Sequence, residues 1–97
     1  MLNEEYATSR IWVFAGDNSR LTAGVFATIE DAEAAIGKHS LSGMVTAYPL
    51  GLLVYDWAIE MGLFIASKPH HESVGFIQGF TSAYLEHYHF VNGIRCD

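Results

Sequence analysis

Short apolar runs broken by turn chemistry alternate along this chain with stretches whose apolar residues recur at helical spacing. The first run, Ile11-Trp12-Val13-Phe14-Ala15, is β-branched and aromatic and is stopped by Gly16-Asp17-Asn18-Ser19. Gly and Asn accept positive φ there, and Asp or Ser bonds back to the backbone. A second run, Ala23 to Ala27, follows, so the pair reads as an antiparallel hairpin with a longer loop. Thr28-Ile29-Glu30-Asp31 announces a helix, with Thr28 as N-cap and the acids at the positive end of the helix dipole. Its stripe of Ile29, Ala32, Ala35 and Ile36 is thin, as expected of a helix covering one face of a layer. The helix ends near Gly37 to His39. Strand character returns around Met44-Val45-Thr46 and is closed by Pro49.

Leu53 to Met61 reads as the clearest helix. Val54, Trp57, Ala58 and Met61 fall at i, i+3, i+4 and i+7, which predicts a buried face centred on Trp57. Gly62 supplies the C-cap. Ser67 to Glu72 reads as a polar loop, and Ser73 as the cap of a short helix carrying Phe76, Ile77 and Phe80. Ala83 to Val91 fits either a helix or a strand. Tyr84, Tyr88, Phe90 and Val91 favour a strand ending at the turn Asn92-Gly93. The expected fold is α+β: an antiparallel sheet of about four strands with two or three helices packed on it, in the order ββαβααβ. Trp12 or Phe14, Val25, Ile36, Val54, Trp57, Ile77 and Phe80 are the expected core. Residues 1–9 are polar and read as a frayed terminus, with one domain over 10–94.

Composition narrows the function. The chain has 97 residues, half of them apolar, enough for one core without staples. Its single cysteine, Cys96, can close no internal disulfide, which fits a reducing, cytoplasmic setting. No signal peptide or membrane span is legible. The formal charge is −6, and the five basic residues are scattered, so no patch exists to neutralise phosphates. Nucleic acid and membrane drop out as partners. A basic protein partner, or plain solubility, fits the acidity.

Chemistry concentrates in Glu86-His87-Tyr88-His89. On a strand, His87 and His89 share a face and Glu86 points to the other. Two such imidazoles can ligate one metal only with help from elsewhere, for which His70 or His71 are candidates. Acid–base catalysis by the same pair would need a cation to hold a developing anion, and Arg20 or Arg95 would have to approach in space. The glycines form no dinucleotide or phosphate-loop fingerprint, and no serine has a nucleophile-elbow context. No cofactor is expected. Asp56 and Glu60 share a helix flank, where the ordinary role is a solvated surface and the functional one is contact with a basic partner.

Trp12-Val13-Phe14 with Gly16, Gly24-Val25-Phe26, Tyr48-Pro49-Leu50, Val54 through Glu60 with Gly62, and Glu86 through His89 with Asn92-Gly93 carry a resemblance. The chain resembles a family of small bacterial proteins of unknown function, departing from its pattern at Ala34-Ala35 and Gly79. The resemblance implies a stand-alone intracellular domain and carries no activity over. Small acidic proteins of this general type include immunity proteins against antibacterial toxins.

Binding is therefore favoured over catalysis. The expected mode is occlusion of a basic toxin domain by an acidic surface, with Tyr55, Asp56, Glu60, Tyr84, Glu86 and Tyr88 as contacts. A metal or acid–base site at His87 and His89 is the competing class. A homodimer paired through a strand edge is the third.

Overall fold

The computed structural model describes residues 9–96. The expected frayed segment, apart from Ser9, lies outside the described residues. Five strands form one sheet in the order β2-β1-β3-β4-β5: β1 Arg10–Gly16, β2 Gly24–Phe26, β3 Gly43–Pro49, β4 His87–Val91 and β5 Ile94–Cys96. The helices are α1 Ile29–His39, α2 Val54–Glu60 and α3 Val74–Gln78, with one 3₁₀ turn at Pro69–Glu72. The class is α+β, as expected. The chain divides into two compact units, one built from Arg10–Tyr48 with the segment from Leu85 onward, the other from Pro49–Tyr84 with Ser9.

In the first, the sheet unit, alternation decides everything. Trp12 and Phe14 of β1, Val45 and Ala47 of β3 and Phe90 of β4 are buried with Ala32 and Ile36 of α1. These side chains share one face of the sheet because residues two apart on a strand point the same way. The register agrees: Trp12 lies opposite Phe26, and Val45 opposite Tyr88. Burying Ile36 and Val45 is worth roughly 1.5–3 kcal/mol each. The α1 cap is the expected one, Thr28 Oγ1 accepting from the Asp31 amide at 3.1 Å. Its far end closes on Ser40 in the left-handed region, φ 54°. Where β3 enters the sheet, a Cβ on Gly43 would overlap the Ala15 carbonyl oxygen and lie 2.8 Å from Gly16 Cα, so the close approach of β1 and β3 requires glycine.

Three expectations need correction here. The sheet has five strands, not four, because Asn92-Gly93 does not end the last strand but folds it back. Both residues have positive φ, 50° and 84°, the requirement of a two-residue type I′ hairpin, and Val91 pairs with Ile94 across it. The β4 strand starts at His87, so Ala83 to Glu86 are not strand. Val25 is exposed rather than core, since on this edge strand Gly24 and Phe26 occupy the covered face.

The second, inserted unit has short elements. Helix α2 buries Tyr55 and Ala58, not a stripe centred on Trp57, which is half-buried; Met61 is exposed. Ala58 belongs to the predicted stripe, but burial turns from Val54 and Trp57 toward Tyr55, because two turns of helix are too few for periodicity to fix the phase. Gly62, at φ 73°, follows the helix, and Leu63 N–H reaches back to Ala58 O at 2.8 Å, closing the cap as expected. Ser73 caps α3 through the Phe76 amide at 3.2 Å. The predicted polar loop is instead tightened into the 3₁₀ turn.

An aromatic cluster takes the place of a layered core in this unit. Tyr55 meets Phe80 edge-on at 5.5 Å, and Phe64 packs on Phe80 at 5.0 Å and Phe76 at 5.7 Å. His71 joins it, its ring 5.1 Å from Phe64 and 5.0 Å from Phe76. Such pairs contribute about 0.5–1.5 kcal/mol each beyond their buried area.

Candidate functional site

The Glu86 to His89 run divides between the two faces of the sheet. Tyr88 points to the covered face, where its ring stacks on Trp12 at 6.1 Å and 25°. The Arg95 guanidinium lies over Tyr88 at 3.6 Å and pairs with Glu33 of α1 at 3.2 Å. Arg10 lies 5.3 Å over Trp12 and forms an ion pair with Glu86, which also accepts the Tyr88 hydroxyl proton donor. The Tyr88 hydrogen bond first, and Arg10 second, hold the Glu86 carboxyl below the usual carboxylate range. The same bond to Glu86 pushes the Tyr88 phenol up. Cation, ring, ring and cation thus alternate along the sheet surface and are tied off by two carboxylates.

Glu86 and Tyr88 are consequently engaged in locking β4 to β1 and α1. Arg95, expected as a possible cation beside the histidines, stacks on the opposite face from them. Tyr55 is buried in the aromatic cluster of the inserted unit and presents no anchor at the surface. Asp56 and Glu60 are exposed on α2, and Tyr84 is exposed in the same unit. Around those acids the inserted unit also exposes Leu53, Ile59, Met61, Leu63 and Ile65.

His87 and His89 sit together on the far face of the sheet, turned away from α1, with rings 6.3 Å apart and nearly perpendicular. The His87 Nδ1 lies 2.7 Å from the Leu85 carbonyl oxygen. Because a carbonyl only accepts, Nδ1 carries a proton, and in the neutral form of the ring the lone pair is on Nε2. Next to His89 is a cavity of about 390 Å³ lined by Val13, Ala15, Gly16, Asp17, Asn18, Thr22, Met44, Thr46, Tyr48 and His89. Among the described residues no three of His, Cys, Asp and Glu are placed to hold one metal ion. His70 and His71 belong to the inserted unit, where their rings pack together at 4.4 Å. There the His71 Nδ1 accepts the Lys68 amide at 3.2 Å, and burial first, then His70 and Lys68, lower its pKa. No polar or charged residue is buried among those described.

A family model described as Domain of unknown function (DUF7710) matches residues 11–96. The chain belongs to the DUF7710 family. No curated protein and no solved structure matches it. The DUF7710 match runs from the second residue of β1 to the end of β5 and so covers all of Pro49–Tyr84 and nearly all of the sheet unit, and the expectation of a family of unknown function holds. Among the described residues of this DUF7710 chain no helix is long and apolar enough to cross a membrane.

Two parts of this arrangement escaped the sequence reading. Arg10, outside the predicted run, closes the Glu86 network; nothing in one sequence pairs residues 76 positions apart. Met44 faces His89 directly across β3 and β4, and this was within reach. The alternation of Met44, Thr46 and Tyr48 against Val45 and Ala47 already assigns the former to the histidine face once the last segment is read as a strand.

Proposed function

We propose that this protein is a binding module for a basic protein partner, acting in the bacterial cytoplasm as an immunity-type protein that occludes a toxin domain. The observation that carries the reading is the exposed side of α2 and the segment after it. Asp56 and Glu60 stand among Leu53, Ile59, Met61, Leu63 and Ile65, all exposed, with no basic residue between Leu50 and Ser67. Isolated exposed apolar residues need no explanation, but a run interleaved with carboxylates of one sign has the make-up of an anchor-and-steering surface. The carboxylates draw a cationic partner in; the aliphatic groups supply the area that is dried on contact. Tyr84 adds an exposed aromatic ring in the same unit. The net charge of −6 reinforces the attraction over longer range.

The test starts with the partner recovered from native cytosol on the untagged protein. Its affinity is then measured against the wild type and the Asp56→Lys, Glu60→Lys double variant at two salt concentrations. The reversal is expected to slow association about tenfold or more at low salt, and Ile59→Ser with Met61→Ser to speed dissociation. A recovered partner that is acidic, or one whose kinetics neither pair of substitutions changes, overturns the reading.

A further inference from the structure

We propose that the far face of the sheet carries a soft-metal site that takes copper(I), with His87, His89 and Met44 as its ligands. The site lies in the sheet unit and stands independently of the partner surface in the inserted unit.

The argument begins with His87. An exposed neutral imidazole on a strand ordinarily samples both tautomers, but the 2.7 Å contact from Nδ1 to the Leu85 carbonyl selects the one with its lone pair on Nε2. A ring N–H donated to a backbone carbonyl is the arrangement that orients metal-binding histidines and raises their basicity. His89 stands two residues on, on the same face, its ring centre 6.3 Å away. An imidazole nitrogen lies about 1 Å from its ring centre and metal–nitrogen bonds are about 2 Å, so two imidazoles on one ion have centres roughly 6 Å apart when they oppose each other. The observed spacing sits at that two-ligand limit, and taking Met44 as a third ligand brings the ring centres to roughly 5.5 Å, a closing of under about 1 Å. Met44 is the cross-strand partner of His89, and the two line the same cavity, which brings a thioether beside the second imidazole.

The donor set selects the metal. Zinc in a structural site wants four ligands drawn from Cys, His, Asp and Glu, and no three of these converge among the described residues. Imidazole and thioether donors without a carboxylate suit a soft, monovalent ion that is content with two or three ligands, which is copper(I). The surroundings do not oppose a cation: among the described residues, by strand alternation, no Lys or Arg projects from a strand on this face. On its other side His89 pairs with Cys96, whose thiol is free and exposed, giving a further soft donor at the margin.

The test uses the full-length untagged protein, kept reduced, with copper(I) supplied from a coloured competing chelator. The wild type is expected to withdraw one equivalent. The His87→Ala, His89→Ala double variant should withdraw none, and Met44→Leu should bind at least tenfold more weakly, each with an unchanged circular dichroism spectrum. Cys96→Ser should retain binding. Failure of the wild type to compete for copper(I) overturns the proposal. So does binding that survives loss of both histidines but disappears in Cys96→Ser, which would make the thiol alone responsible. Zinc binding of equal strength that ignores Met44→Leu would overturn the choice of a soft metal.

Discussion

The sheet unit and the inserted unit are folded by different means. In the first, long strands and an eleven-residue helix bury aliphatic and aromatic side chains in a layered core, and the fold follows from period-two and helical alternation. In the second, helices of seven and five residues gather around rings, and the aliphatic residues are left at the surface. Helices this short have little stability of their own. The aromatic cluster therefore carries a unit whose aliphatic surface is free to be used against something else. The lesson is a division of labour: the layered core resides in the sheet unit, and exposed apolar surface in the insertion.

The comparison can be broken first at Ile36. Replacing it with Ala in the fully packed sheet core should lower unfolding stability by about 2–5 kcal/mol in chemical denaturation. A loss under about 1 kcal/mol would mean that the layered core does not carry the fold. Phe64→Leu keeps much of the bulk but removes the ring from four ring neighbours, Tyr55, His71, Phe76 and Phe80. It should cost about 1 kcal/mol and speed amide hydrogen exchange in Val54–Glu60 more than in β3. Equal acceleration in both places would merge the two units into one cooperative block.

The smallest effect is set by pH. Neutral His71 accepts the Lys68 amide through Nδ1, and an imidazolium cannot accept. Since its folded pKa lies below the ordinary 6.5, the unfolded chain binds the proton more readily. The contribution is present above that ordinary value and is lost as pH falls through the depressed folded one. An NMR titration should place the His71 midpoint below that of a model imidazole, with exchange in the 3₁₀ turn rising at acid pH while β1 is unaffected. A midpoint at or above the ordinary value would remove the switch.

The sheet unit was largely legible in the sequence because its strands are long enough for alternation to repeat. Trp12 and Phe14, the Thr28 cap, Ile36 and the strand before Pro49 all stand where pattern and capping chemistry put them. The strand at His87 and the shared face of His87 and His89 were also legible. The fifth strand was missed because Asn-Gly signals a turn without saying whether a strand follows; only three residues do. In the inserted unit, two helical turns could not fix the phase, so Trp57 was placed in the core and Tyr55 at the surface, the reverse of their relative burial. The Arg10, Glu86 and Tyr88 network rests on strand neighbours far apart in sequence, which no local pattern encodes.

The strands β3 and β4 are direct hydrogen-bonded neighbours, with Thr46 opposite His87 and the Ala47 amide on the Glu86 carbonyl at 2.8 Å. Everything from Leu50 to Glu86 is thus, topologically, the loop of one β-hairpin. Closing a loop becomes dearer only slowly with length, by about 0.6 kcal/mol for each doubling. Such a loop can be lengthened, shortened or exchanged for another while the register of its two strands stays in place. Homologous chains could then diversify what they recognise by swapping a cassette between two fixed posts, without redesigning the sheet that bears it.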